Sequence, residues 1–73
     1  ALRPLGAGRF LVTADPGRYT WSVCDGLGRL VDVGTIICGT EPEMITMRDV
    51  SPGVHLITIR NGSRGYVKRF LLQ

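Results

Sequence analysis

Turn residues interrupt this chain so often that no apolar run is long enough to make an ordinary helix. Ten glycines and four prolines stand singly between short runs rich in Val, Ile, Thr, Tyr and Trp, the residues that suit a pleated, half-buried surface. A 3.6-residue period is nowhere sustained, whereas alternation of period two is. The fold class expected is all-β. Short strands separated by turns at this spacing describe a small antiparallel β-sandwich of about six to seven strands.

The last stretch, Ser51 to Gln73, carries the clearest local signal. Pro52-Gly53 opens it as a turn, and Val54 to Arg60 is β-branched and apolar without a breaker. Asn61-Gly62-Ser63 reverses the chain, with Asn-Gly read as a pair that accepts the left-handed conformation of a tight hairpin turn. Gly65 to Leu72 returns as a second strand, and the sequence stops at Gln73.

Upstream, Ala1 to Gly8 reads as a turn-rich lead-in, followed by a strand over Arg9 to Ala14. Asp15-Pro16-Gly17-Arg18 reads as a β-turn. Tyr19 to Asp25 alternates most cleanly, placing Tyr19, Trp21 and Val23 on one face. Trp21 is the largest apolar group available and is expected in the core. Gly26-Leu27-Gly28 reads as a hairpin turn leading into a strand over Arg29 to Ile37. Gly34 interrupts that strand and suggests a bulge, or a bend where it changes sheets. Glu43 to Arg48 is a short strand with Ile45 and Met47 on one face, and Asp49 to Gly53 a corner that Val50 would plug.

Seventy-three residues allow one domain with a thin core, since a chain of this size hides only about 60% of its unfolded surface. The net charge of +3 is mild. Only Arg60, Arg64, Lys68 and Arg69 gather, so the chain lacks the dense basic stripe of a nucleic-acid binder. No initiator Met, signal peptide or membrane span is read in it. The expectation is a single C-terminal domain of a larger protein. Cys24 and Cys38 are expected free and buried, with a disulfide the alternative if their strands lie close. No metal or other cofactor is expected, because two cysteines and one histidine do not fill a structural zinc site. His55 lies inside a strand with no nucleophile elbow nearby, and the carboxylates fall mostly at turns and strand ends. A non-enzyme is expected.

Several stretches together resemble a known family, the C-terminal sorting domain of the type IX (Por) secretion system of Bacteroidetes. Trp21 to Val31 is similar to the family's V-x-V-x-D-x-x-G-R-x-V hairpin, keeping Val23, Asp25, Gly28, Arg29 and Val31. Ile45 to His55 is similar to I-D-L-x-x-L-x-x-G-x-Y, with His55 where the family usually has tyrosine. Val67 to Gln73 resembles its closing strand of Lys/Arg followed by apolar residues. Leu2-Arg3-Pro4 and Gly8-Arg9-Phe10 are similar to its opening, without the Asn-Pro pair.

The resemblance implies an immunoglobulin-like Greek-key sandwich that acts as a secretion address. The expected partners are the outer-membrane type IX translocon and its shuttle proteins, with a sortase-like surface protease that exchanges the domain for lipopolysaccharide in many cargo proteins. The expected route runs through the periplasm to the cell surface or the medium. Gly53, Val67, Lys68, Arg69, Phe70 and Leu71 are the candidate recognition residues: the glycine holding a turn, the basic pair meeting the translocon, the apolar residues anchoring the strand. Deleting Val67 to Gln73 is expected to block export. A retained accessory, adhesive or machinery-docking sandwich, binding glycan through Tyr19 and Trp21, is the alternative. Dimerisation through edge strands is a third reading, with Lys68 and Arg69 as guards.

Overall fold

The computed structural model describes residues 1–48 and 51–72. Every regular element in them is a strand: β1 (Leu2–Gly6), β2 (Arg9–Val12), β3 (Gly17–Asp25), β4 (Leu30–Cys38), β5 (Glu43–Thr46), β6 (Gly53–Asn61) and β7 (Arg64–Leu72). They form two antiparallel sheets, one ordered β1-β2-β5 and the other β4-β3-β6-β7. The chain changes sheet after β2, after β4 and after β5, which makes the Greek-key, immunoglobulin-like sandwich expected. Here the fourth strand pairs with the third instead of joining the opposite sheet.

Alternation decides the core. Phe10 and Val12 of β2 and Ile45 of β5 face Tyr19, Trp21 and Val23 of β3 and Ile57 and Ile59 of β6, all buried. Each strand contributes every second residue, as a pleat requires. Trp21 is thus a core anchor, and Tyr19 is fully enclosed, its hydroxyl donating to the Asp15 carbonyl at 2.8 Å. Neither ring offers a free face for stacking a sugar, which removes the glycan-binding role considered for this pair.

The lead-in differs from its sequence reading. Leu2–Gly6 is a strand paired with β2, closed by a two-residue turn in which Ala7 and Gly8 both have positive φ, at 53° and 73°. Pro4 misleads the eye, but β1 is an edge strand, where a residue without an N–H is tolerated. Of the β-turn read over Asp15-Pro16-Gly17-Arg18, Asp15-Pro16 is a bend on the passage between sheets and Gly17-Arg18 already belongs to β3. The strands read over Arg9 to Ala14 and Glu43 to Arg48 are shorter, ending at Val12 and Thr46. Val50, proposed as a corner plug, and Asp49 lie outside the described residues.

Gly34 also departs from expectation. It stays in register opposite Trp21, and β4 keeps to one sheet. A Cβ at Gly34 would lie 2.6 Å from Trp21 Cζ2, so glycine is required by the indole lying across it. The real irregularity is at Val31, an extra residue between the Val23–Asp32 and Cys24–Leu30 pairs. Cys24 and Cys38 are both free. They sit at opposite ends of the β3–β4 hairpin, roughly 20 Å apart at the rise of a strand, so no disulfide can join them.

Candidate functional site

The β3–β4 turn shows why one motif has its spacing. Asp25 Oδ1 accepts from the backbone N–H groups of Leu27 and Arg29 at 2.9 and 3.0 Å, and Arg29 Nε donates to Oδ2 at 2.9 Å. Gly28 donates to the Asp25 carbonyl at 3.0 Å and takes φ of 83°. This is a three-residue loop closed by a left-handed glycine. Asp, Gly and Arg at these offsets are one hydrogen-bonded unit. The backbone bond from Arg29, followed by that from Leu27 and the guanidinium, holds the Asp25 carboxyl below its ordinary pKa against a smaller opposing effect of burial.

The terminal hairpin is paired along its whole length, from Gly53 opposite Leu72 to Asn61 opposite Arg64. Asn61 remains in the strand, so the turn is Gly62-Ser63 and only Gly62 has positive φ, at 58°. Glycine first in a two-residue loop is the alternative hairpin chemistry to Asn-Gly. Gly53, read as part of a turn, is the first residue of β6, paired with Leu72, and has φ of 129°.

The hairpin is fastened on its inner face. Phe70 stacks on His55 with centroids 5.4 Å apart and meets Phe10 of the opposite sheet edge-on at 4.7 Å. The His55 ring donates from Nδ1 to the Gly53 carbonyl at 3.0 Å. His55 is buried, held by this bond and by the Phe70 ring. At the far end Arg64 pairs with Asp15.

The six candidate residues divide between two faces. Phe70 is inside and anchors the strand. Lys68 is half-buried on the same inner side, opposite Ile57. Val67, Arg69 and Leu71 point out of the sandwich, with Val67 64% and Leu71 62% exposed. Lys68 and Arg69 therefore cannot meet a partner as a pair on one surface, because neighbours in a strand face opposite ways. Nor do Val67 and Leu71 anchor anything. Val54 and Leu56, exposed beside Leu71 and Arg69, belong with them but were missing from the sequence-based set. The apolar run in β6 reads as a strand buried on both faces, and only the opposite sheet shows which face is covered.

The hairpin pairs on one side only. β7 is an edge strand of its sheet. Near its C-terminal end, Phe70 to Leu72 and the β1–β2 turn from Gly6 to Arg9 enclose a groove of about 250 Å³. Among the described residues no three His, Cys, Asp or Glu side chains cluster as metal ligands, and no helix is long and apolar enough to cross a membrane.

The family model for the secretion system C-terminal sorting domain matches residues 7–73. The chain belongs to this family. Comparison with curated proteins and with solved structures returned no match. Sorting domains of this family are the C-terminal signal for type IX secretion, recognised by the type IX machinery, and direct export across the outer membrane to the cell surface or beyond. The family is not a catalytic one.

Proposed function

We propose that residues 1–73 form a single, non-catalytic sorting domain at the C-terminus of a larger passenger, read by the translocon through β7. The observation carrying this is a division of labour within one strand. Phe70 seats β7 against His55 and Phe10, while Val67, Arg69 and Leu71 stand exposed beside an unpaired backbone edge. A partner strand added to that edge would gain main-chain hydrogen bonds, and the alternating side chains would supply specificity. Gly53 holds the base of the hairpin, and Lys68, half-buried on the inner side of β7, would meet an acidic group of the incoming strand. Shuttle proteins in the periplasm and a sortase-like protease at the surface are the partners this route implies.

Removing Val67 to Gln73 would also remove Phe70 from its packing, so such a deletion confounds recognition with folding. Substitution separates them. A soluble reporter carrying residues 1–73 at its C-terminus, behind a periplasmic signal peptide in a Bacteroidetes host, is expected to reach the surface or medium. Arg69→Glu with Leu71→Asp is expected to strand it in the periplasm with the domain still folded. Undiminished export of that variant would defeat the assignment of the reading strand to β7. A wild-type reporter held in the periplasm would favour a retained accessory or machinery module.

A further inference from the structure

The outward side of the four-stranded sheet is unusual well beyond β7. Its cross-strand rows follow from the register: Leu30–Cys24–Leu56–Arg69 and Val33–Ser22–Thr58–Val67 run across all four strands, and Val54 stands beside Leu71. The large apolar members of these rows are between 42% and 64% exposed. They lie along the β4 and β7 edges and at Val54 and Leu56 of β6, with Ser22 and Thr58 between Val33 and Val67. Monomeric proteins scatter such residues singly, and a group of this extent on one face marks an interaction surface. Four strands at their usual spacing of about 4.8 Å make this face roughly 14 Å wide.

Its charge is of one sign. Arg18, Arg60 and Arg69 lie on this side, and none of the described carboxylates does. Asp25 and Asp15 are tied up at turns with Arg29 and Arg64, Asp32 faces inward toward Arg48, and Glu41 and Glu43 belong to the other sheet or its approach. We infer that the whole outer face of the β4-β3-β6-β7 sheet is a docking plane for a protein surface that presents both apolar groups and carboxylates. The inference rests on the sorting reading and extends it: recognition spans the sheet to β4, whereas strand addition at β7 alone would leave β4 untouched.

Other occupants fit less well. A second copy would set three arginines against three arginines with no carboxylate between them, and like charges facing each other across an interface oppose binding. A lipid surface favours Trp and Tyr at its boundary beside Lys or Arg; this face has the arginines but no Trp or Tyr, because the aromatic residues of the sheet lie on the inner side. Exposed apolar residues together with arginines resemble the composition of a protein–protein contact, whose core is apolar and enriched in Arg.

The test uses the same reporter with variants on β4, remote from the β7 edge. Leu30→Asn with Val33→Asn is expected to lower export at least about ten-fold, the effect of losing 1.4 kcal/mol at the contact. Arg18→Glu with Arg60→Glu is expected to do the same, while Arg18→Lys with Arg60→Lys keeps most of the export. Met44→Asn, exposed on the outer side of the other sheet, is the control expected to change nothing. Thermal unfolding of each purified domain must stay near wild type, as surface substitutions generally do. Wild-type export with unimpaired β4 variants would overturn the docking plane and leave the β7 reading intact. Failure of the wild-type reporter would remove both. Binding of the domain to vesicles of phosphatidylcholine and phosphatidylglycerol, lost in the β4 variants, would overturn the protein partner in favour of a membrane. A dimer in sedimentation velocity that those variants dissolve would do so in favour of a second copy.

Discussion

β3 and β7 have the same length, nine residues, and the same alternating pattern, yet they do opposite work. β3 pairs on both sides, and its inner residues Tyr19, Trp21 and Val23 are buried beneath the other sheet. β7 pairs only with β6, and its inner residues Tyr66, Lys68 and Phe70 are half-buried. Three strands face four, so the opposite sheet does not cover both edges. Pattern alone sets which side of a strand faces in. How deeply that side is buried depends on what lies across from it. The domain keeps its stability in the centre and its accessibility at the rim, and each can be altered without the other.

The sharpest way to break that contrast is to truncate one residue from each strand. Trp21→Ala removes a buried indole from over Gly34 and is expected to cost about 3–5 kcal/mol, most of the stability of a domain this small. Leu71→Ala removes a side chain that is mainly in water and is expected to stay within about 0.5 kcal/mol. Thermal melts followed by circular dichroism read both. Comparable drops in Tm would show that β7 is as integral to the core as β3.

The same contrast explains what could be read from the residues. Tyr19, Trp21 and Val23 announce their face because bulky apolar groups alternate with Thr20, Ser22 and Cys24, and the hairpin ends are marked by Gly28 and Gly62. Strand β1 was hidden, since Pro4, Gly6 and Gly8 look like a loop and only the neighbour β2 makes them an edge. Gly34 was legible as a special position but not in kind: a bulge and a ring lying across the strand leave the same mark in sequence. At the candidate site the hairpin itself was readable. The split between Phe70 and Lys68 on one side and Val67, Arg69 and Leu71 on the other follows from period two, but which side meets water depends on the opposite sheet. Val54, Leu56, Leu30 and Val33 escaped notice because apolar residues on both faces of a strand normally mean that both are covered.

The two edges of the four-stranded sheet can be compared through their charges. On β4, Asp32 is buried and accepts from the backbone N–H groups of Val33 and Arg48 at 2.9 and 3.1 Å, with the Arg48 guanidinium at 3.3 Å. The backbone bond from Arg48 leads in lowering its pKa, against an opposing effect of burial. A carboxyl whose folded pKa lies below the unfolded one stabilises the fold above the unfolded value and ceases to do so as pH falls through the folded value. Asp32→Ala orphans two N–H groups and is expected to cost about 1–3 kcal/mol at pH 7. Urea unfolding at pH 7 and pH 3 should show the gap between wild type and variant narrowing below about pH 4, where the unfolded carboxyl takes up its proton. An unchanged gap at both pH values would mean that the charge of Asp32 is immaterial to the link it makes.

On β7, the other edge, the inward group is a cation. Lys68 sits between Tyr66 and Phe70 on the inner side, half-buried and opposite Ile57. A charge on the inward side of an edge strand hinders pairing with a strand that brings no carboxylate to meet it, because extending the sheet would bury it unpaired. Replacing Trp21 in β3 removes packing; replacing Lys68 in β7 should remove only that obstacle. Lys68→Val is thus expected to leave unfolding within about 0.5 kcal/mol of wild type, as is Leu71→Ala. Its consequence lies in association. Sedimentation velocity over a rising concentration series should find the wild-type domain monomeric and the variant self-associating through β7. If the variant stays monomeric at every concentration, the lysine is not what keeps this edge apart, and the outward Arg69 becomes the residue to change next.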